Sequence, residues 1–263
     1  MLMTIPLYTS ASYGLIQEAI LTLVAPFVGS FLGVITKRLP DERDWRWGRS
    51  TCDTCHKRLS PVELVPILSW LVLHGRCRNC HAEIGFFYPA IELAALAIAV
   101  WTVVTVPHEL QIVTTLFGWL LLTLAAVDWQ TRRLPDVLTL LLAITGLVAA
   151  YLYDRDYWLI HAAAGVAAAA ALVAIAVLYR WIRKSAGLGL GDAKLFGALG
   201  IWVSLSGLPS VLFLGAMFAM AFYLIRQGFL RTDWRERLPF GPFLAAAGWL
   251  VWLYGALIPA LRL

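Results

Sequence analysis

KLFGALGIWVSLSGLPSVLFLGAMFAMAFYLI (194–225) reads either as one long apolar helix or as two short ones. At its centre SLSGLPS (204–210) supplies serines, a glycine and a proline, a combination that marks turns. The stretch is therefore expected to form two segments, 194–207 and 209–225. Further apolar runs at 14–36, 86–106, 110–127, 137–153, 159–179 and 241–260 bring the expected number of membrane-crossing segments to eight. Several meet the roughly 20-residue requirement of a hydrocarbon core, while 137–153, 194–207 and 209–225 are short. Charge supports the split. Nineteen of the 21 basic residues fall in four places: the insert 37–85, the turn 128–136, and the loops 180–194 and 226–238. Eight spans put all four on one side, the cytoplasmic one by the positive-inside rule, and both termini on the other.

Composition agrees with this class. Of 263 residues, 60% are hydrophobic and 14% charged, against roughly a quarter charged in soluble domains. The mean hydropathy is +0.76, and twelve tryptophans suit a protein with two bilayer interfaces. The net charge of +5 reads as topogenic, because the basic residues sit between apolar segments, and no nucleic-acid partner is expected. MLMTIPLYTSASYGLIQEAI (1–20) lacks a basic start, so the first apolar segment is expected to stay as a helix. The expected fold is an all-α polytopic membrane protein with about eight transmembrane helices. A small cytoplasmic insert separates the first helix (1–36) from a seven-helix region (86–263).

All four cysteines lie in that insert, in TCDTCHKRLS (51–60) and GRCRNCH (75–81). Each knuckle carries C-x-x-C-H, the attachment signature of c-type haem, whereas paired knuckles at C-x2-C-x21-C-x2-C are a zinc signature. Covalent haem belongs to the outer membrane face, and the charge pattern puts this loop on the inner one. A reducing cytosol also disfavours disulfides. Cys52, Cys55, Cys77 and Cys80 are thus expected to hold a structural Zn2+, which compensates for the small core of residues 37–85. His56 and His81 are expected to flank the knuckles as polar residues, with exchange onto the metal as the other reading.

Most acids have plain roles: Asp41, Glu42 and Asp44 sit among arginines, and Asp154 and Asp156 form an outer turn. Two stand apart. Asp128 follows the apolar run LLLTLAAV, and Asp192 closes GLGLGD (187–192). The topology puts both at one membrane face and similar depth, where carboxylates are costly. Neighbouring aspartates share a proton, so that one takes a proton from water while its partner protonates a leaving amine. Gly189 and Gly191 permit close backbone approach, so an extended substrate strand has room beside the acid. The plainer reading makes GLGLG a flexible loop and Asp192 a helix cap.

The combined pattern resembles the bacterial type IV prepilin peptidases, membrane aspartic proteases of the GxGD class. GSFLGVITKRLP (29–40) is similar to the family's GSFLNVVIxRLP, and PVELVPILSWLVLHGRCRNC (61–80) to NIPxLSWLxLxGRCxxC. FYPAIELAA (87–95), DWQTRRLPD (128–136), GLGLGDAKLFGALG (187–200) and LPFGPFLAAAGW (238–249) follow in family order. The resemblance implies cleavage of the basic leader of type IV prepilins or secretion pseudopilins, after a glycine, at the cytoplasmic face of the bacterial inner membrane. It also implies methylation of the new N-terminus with S-adenosylmethionine. The family's catalytic aspartates match Asp128 and Asp192, and its zinc cysteines match Cys52, Cys55, Cys77 and Cys80. Glu63, Glu92 and Lys194 become candidates for placing the leader, each with a structural alternative. Lys194 also reads as a snorkelling lysine, and Asp136 as the cap of the fourth span.

Two departures bear on methyl transfer. Gly33 and Leu64 stand where the family usually has asparagine. A peptidase without methyltransferase activity, a membrane carrier of two c-type haems and a non-catalytic assembly or transport protein are the competing expectations.

Overall fold

A computed structural model describes residues 7–39, 50–184, 189–230 and 238–257. Arg43, Arg46, Arg49, Gly187, Arg231, Arg235, Arg237 and Arg262 lie outside the described residues. The elements are α1 (Leu7–Arg38), a 3-10 turn (Pro61–Leu64), α2 (Leu68–Val72), α3 (Phe87–Thr105), α4 (His108–Thr131), α5 (Asp136–Tyr153), α6 (Trp158–Arg183), α7 (Leu190–Leu230) and α8 (Gly241–Tyr254). Among the described residues no strand forms, only the isolated bridges Thr51–Arg58 and Arg76–Glu83. Among the described residues six helices are long and apolar enough to cross a membrane, and α8 is a shorter apolar one, which fits a multi-pass membrane protein. The chain divides into two compact units, Met1–Trp119 and Leu120–Leu263, with the division inside α4.

In the first unit α1 packs on α3 at very short range. A Cβ on Gly29 would come within 2.7 Å of the Glu92 Cα, so only glycine lets the two backbones approach this closely. Trp119 donates to the Ala95 carbonyl at 3.0 Å, tying α4 to α3 across their hairpin.

In the second unit α7 is the element that the opening stretch left open. It is broken at Ser204, whose backbone (φ 57°, ψ 179°) is non-helical. Contacts along α8 show that the chain reverses there. Leu199 lies against Gly248, and Trp202 stacks edge-on with Trp252 at 5.3 Å, so residues 190–203 run parallel to α8. Beyond the break, Val251 lies against Gly207 and Phe243 against Phe222, so residues 205–230 run back the other way. The expected split is therefore present. It is made by one residue, however, and helix resumes through Pro209 in place of a turn spanning 204–210.

Small residues bring α6 against the first half of α7. A Cβ on Gly197 would meet the Ala169 Cβ at 2.8 Å, and one on Gly200 the Ala164 carbonyl at 3.0 Å. On the other flank Trp202 donates to the Leu142 carbonyl of α5 at 2.9 Å. The first half of α7 is thereby held on three sides, and its first turn carries Asp192.

Candidate active site and metal centre

Asp128 lies in the last turn of α4, inside the helix and not after it as the apolar run suggests. The helix stops because Arg132 adopts φ 55° and its amide closes on the Asp128 carbonyl at 2.8 Å. The Asp128 side chain is buried, 4% exposed. Its Oδ2 accepts the Gly241 N–H at 3.0 Å, at the first residue of α8. The positive end of that helix therefore faces the carboxylate. A Cβ on Gly241 would stand 2.6 Å from Oδ2.

Asp192 is the third residue of α7 and reaches back to the Gly189 amide, the N3-to-cap contact of a capping box. It is half-buried beside exposed Gly189 and Leu190. Both aspartates thus sit at helix N-termini that point the same way, and the two carboxylates interact electrostatically. Gly191 has a separate task. A Cβ there would meet the Leu134 side chain at 3.2 Å, so its absence lets the turn after Asp128 lie against the loop before Asp192.

A buried carboxylate held by one amide, beside a more open carboxylate, can share one proton and exchange it with water. Sequence reasoning missed Gly241. The Gly-Pro pair in LPFGPF marked a helix start, but nothing in it said which acid the amide would meet. Gly241→Ala is expected to displace the Asp128 carboxylate by a fraction of an ångström or more. We expect any activity depending on it to fall up to about 100-fold with folding retained, checked by turnover and thermal unfolding.

The other acids and Lys194 have partners of their own. Lys194 Nζ pairs with Asp136 at 2.6 Å, with both side chains exposed. Asp136 is the first residue of α5, where Pro135 occupies the cap position, so it does not cap the helix as expected. Glu63 Oε2 accepts from the Ser60 hydroxyl and amide, both at 2.7 Å, and these bonds hold its carboxyl below the usual range. Glu92 is buried, and its Oε2 accepts the Ile67 N–H at 2.7 Å together with a bond from Ser30. Ile67 has φ 62°, a costly conformation for a β-branched residue, so Glu92 fastens a strained turn to α3.

The two knuckles are near copies. The backbone amides of Cys52 and Cys77 donate to the Lys57 and Ala82 carbonyls, at 3.0 and 2.8 Å. His56 and His81 both have φ 56° and donate their amides back to the Cys52 and Cys77 carbonyls. The histidines therefore make the left-handed turn that closes each knuckle, and their side chains are exposed. The four Sγ atoms lie within 4.8 Å of one another, with Cys52 and Cys80 at 3.8 Å. Zn–S bonds of about 2.3 Å in a tetrahedron require S–S separations of about 3.8 Å, so the donor set fits zinc. The amides of Cys55 and Thr54 lower the Cys52 thiol to about 6, whereas Cys80, despite a backbone bond to Ala82 that lowers it, is raised to about 11 by burial and the neighbouring thiols, so the charge of the cluster rests first on Cys52. Asn79 donates to Cys55 Sγ at 3.7 Å and accepts from Lys57 at 2.9 Å, linking the knuckles.

Gly33 faces Tyr88 and Ile91, where a Cβ would stand 3.1 and 3.2 Å from their side chains. An asparagine there would have to displace the tyrosine ring.

Comparison with known proteins gives one answer. A family model described as Bacterial Peptidase A24 N-terminal domain matches residues 23–106, and one described as Type IV leader peptidase family matches residues 115–225. A protein of Aeromonas salmonicida named prepilin leader peptidase/N-methyltransferase is 34% identical over 269 residues, covering 89% of each chain. Proteins of the same name from Burkholderia pseudomallei and Pseudomonas aeruginosa are 33% and 30% identical. The first alignment covers 91% of this chain and 86% of its relative, the second 89% of each. No solved structure matches the chain.

Proposed function

Since the chain belongs to the type IV leader peptidase family, we propose that it cleaves the basic leader of type IV prepilins or secretion pseudopilins and N-methylates the new terminus. The observation that carries the peptidase half is the placement of Asp128 and Asp192 at two parallel helix N-termini, with the Gly241 amide on one carboxylate. In this reading the pair holds one proton. The ionised aspartate takes a proton from the attacking water, and the neutral one donates to the departing amine nitrogen as the bond after the leader's glycine breaks. Exposed Gly189 leaves room beside Asp192 for an extended strand, while Gly191 is taken up by its packing against Leu134.

The site lies at the cytoplasmic face of the bacterial inner membrane, with residues 37–85 as the zinc-binding domain and 86–263 as the peptidase domain. Both termini are periplasmic. The sidedness follows from the four basic segments. Zn2+ held by Cys52, Cys55, Cys77 and Cys80 supplies cross-linking, not chemistry, to a segment with little core of its own. Glu63, Glu92 and Lys194 are already engaged by Ser60, Ile67 and Asp136, which favours structural parts for them over leader contact.

S-adenosylmethionine is the methyl donor in this reading. Incubation of the purified protein with a prepilin and that donor is expected to yield mature pilin heavier by one methyl group. Mature pilin without the added mass sinks the methyltransferase half and leaves the peptidase.

A further inference from the structure

The far end of the half-helix whose first turn carries Asp192 is held by a histidine bridge. His161 of α6 places Nδ1 2.7 Å from the Ile201 carbonyl and Nε2 3.3 Å from Asp154 Oδ2. Ile201 lies three residues before the Ser204 break, so its carbonyl belongs to the final turn, whose acceptors lack intrahelical donors. The His161 side chain is 16% exposed and that of Asp154 51%, which opens the bridge to solvent on one side.

Both partners can only accept. Neutral imidazole has one N–H and satisfies one of them, whereas imidazolium has two and satisfies both. The surrounding charges are few. Residues 197–207 of α7 carry no ionisable side chain. From the end of α5 come Asp154 and, in the following turn, Arg155 and Asp156, with the Arg155 guanidinium 5.2 Å from the Tyr151 ring. Tyr157 precedes α6 on the histidine's own side.

We propose that His161 is a positioning residue: its doubly bonded imidazolium clamps the half-helix 190–203 at Ile201 and so fixes Asp192 about 14 Å away towards the other end, at 1.5 Å per residue. The clamp loses one of its two bonds when the ring is neutral. Cleavage therefore depends on whether the ring carries one N–H or two, and so on pH at the face where the Asp154 turn lies. This rests on the peptidase reading of Asp192.

The test uses the full chain in nanodiscs, with prepilin cleavage followed from acid to neutral pH in wild type, His161→Gln and Asp154→Asn. Titration of the aspartates shapes all three profiles alike, so the informative quantity is the ratio of wild type to variant. That ratio for His161→Gln is expected to fall by about fivefold or more as pH rises from acid to neutral, the low end of coupling between distant sites. Asp154→Asn, an exposed and conservative change, is expected to weaken that pH dependence, because the second acceptor of the bridge loses its charge. Nitrogen NMR of labelled histidine reads the bridge without any activity, and two bonded N–H groups at low pH are expected for His161. A flat ratio, or a ring that keeps a single N–H bond at every pH, overturns the proposal. A wild type that does not cleave prepilin at all overturns the peptidase reading beneath it.

Discussion

Asp128→Asn and Asp192→Asn are each expected to lower leader cleavage by about 10⁴-fold or more, the scale on which loss of an essential proton-transfer group acts. Asparagine has nearly the shape of aspartate, and its amide oxygen can still accept the Gly241 N–H that Asp128 accepts at 3.0 Å. The packing at the start of α8 therefore survives the change. What is lost is the capacity to hold and pass a proton. Because the pair acts as a unit, the double variant is expected to be scarcely worse than either single one. Methylation of an already cleaved pilin is expected to persist in both variants, which separates a chemical loss from a folding loss. Gel analysis of the precursor and intact mass of the product read the two activities.

The second large effect is expected at the knuckles. Cys77 is 3% exposed and contributes one of four thiols whose spacing fits a tetrahedral zinc. Structural zinc sites bind with apparent free energies of about 10–16 kcal/mol, so the metal outweighs what a segment this small gains from its own core. Cys77→Ser is expected to lower bound zinc from about one per chain to near zero after dialysis against a chelator, because zinc prefers four thiolates. Residues 51–84 are then expected to become sensitive to protease. Zinc content by elemental analysis and the cleavage pattern by mass spectrometry check this. His81→Ala, by contrast, is expected to keep the metal, since that histidine's side chain is exposed and its left-handed backbone sets the turn.

The membrane class, the positions of most helices and the two aspartates were legible in the sequence because each leaves a local mark. Hydropathy writes spans, basic residues write loops, and acids at the ends of apolar runs are conspicuous. The break in α7 was legible only as a region. Serine, glycine and proline together announced a reversal, but which of them takes the non-helical backbone depends on packing, and Ser204 takes it while Pro209 stays helical. The partners of Asp128, Glu92 and His161 were not legible at all. Gly241, Ile67 and Ile201 contribute backbone groups, 113, 25 and 40 residues away in sequence, and a main-chain amide or carbonyl has no signature in the residue that bears it. The same holds for His56 and His81. Their place after C-x-x-C suggests polar residues flanking the knuckles, with exchange onto the metal as the other reading, but gives no sign that the backbone uses them as turn residues at φ 56°.

The most direct test of a two-aspartate peptidase is purified wild-type protein and Asp192→Asn, each loaded with zinc and incubated with the same prepilin, with products read by intact mass. The expected result is mature pilin from wild type and uncut precursor from the variant. Mature pilin released by Asp192→Asn at the wild-type rate would contradict it.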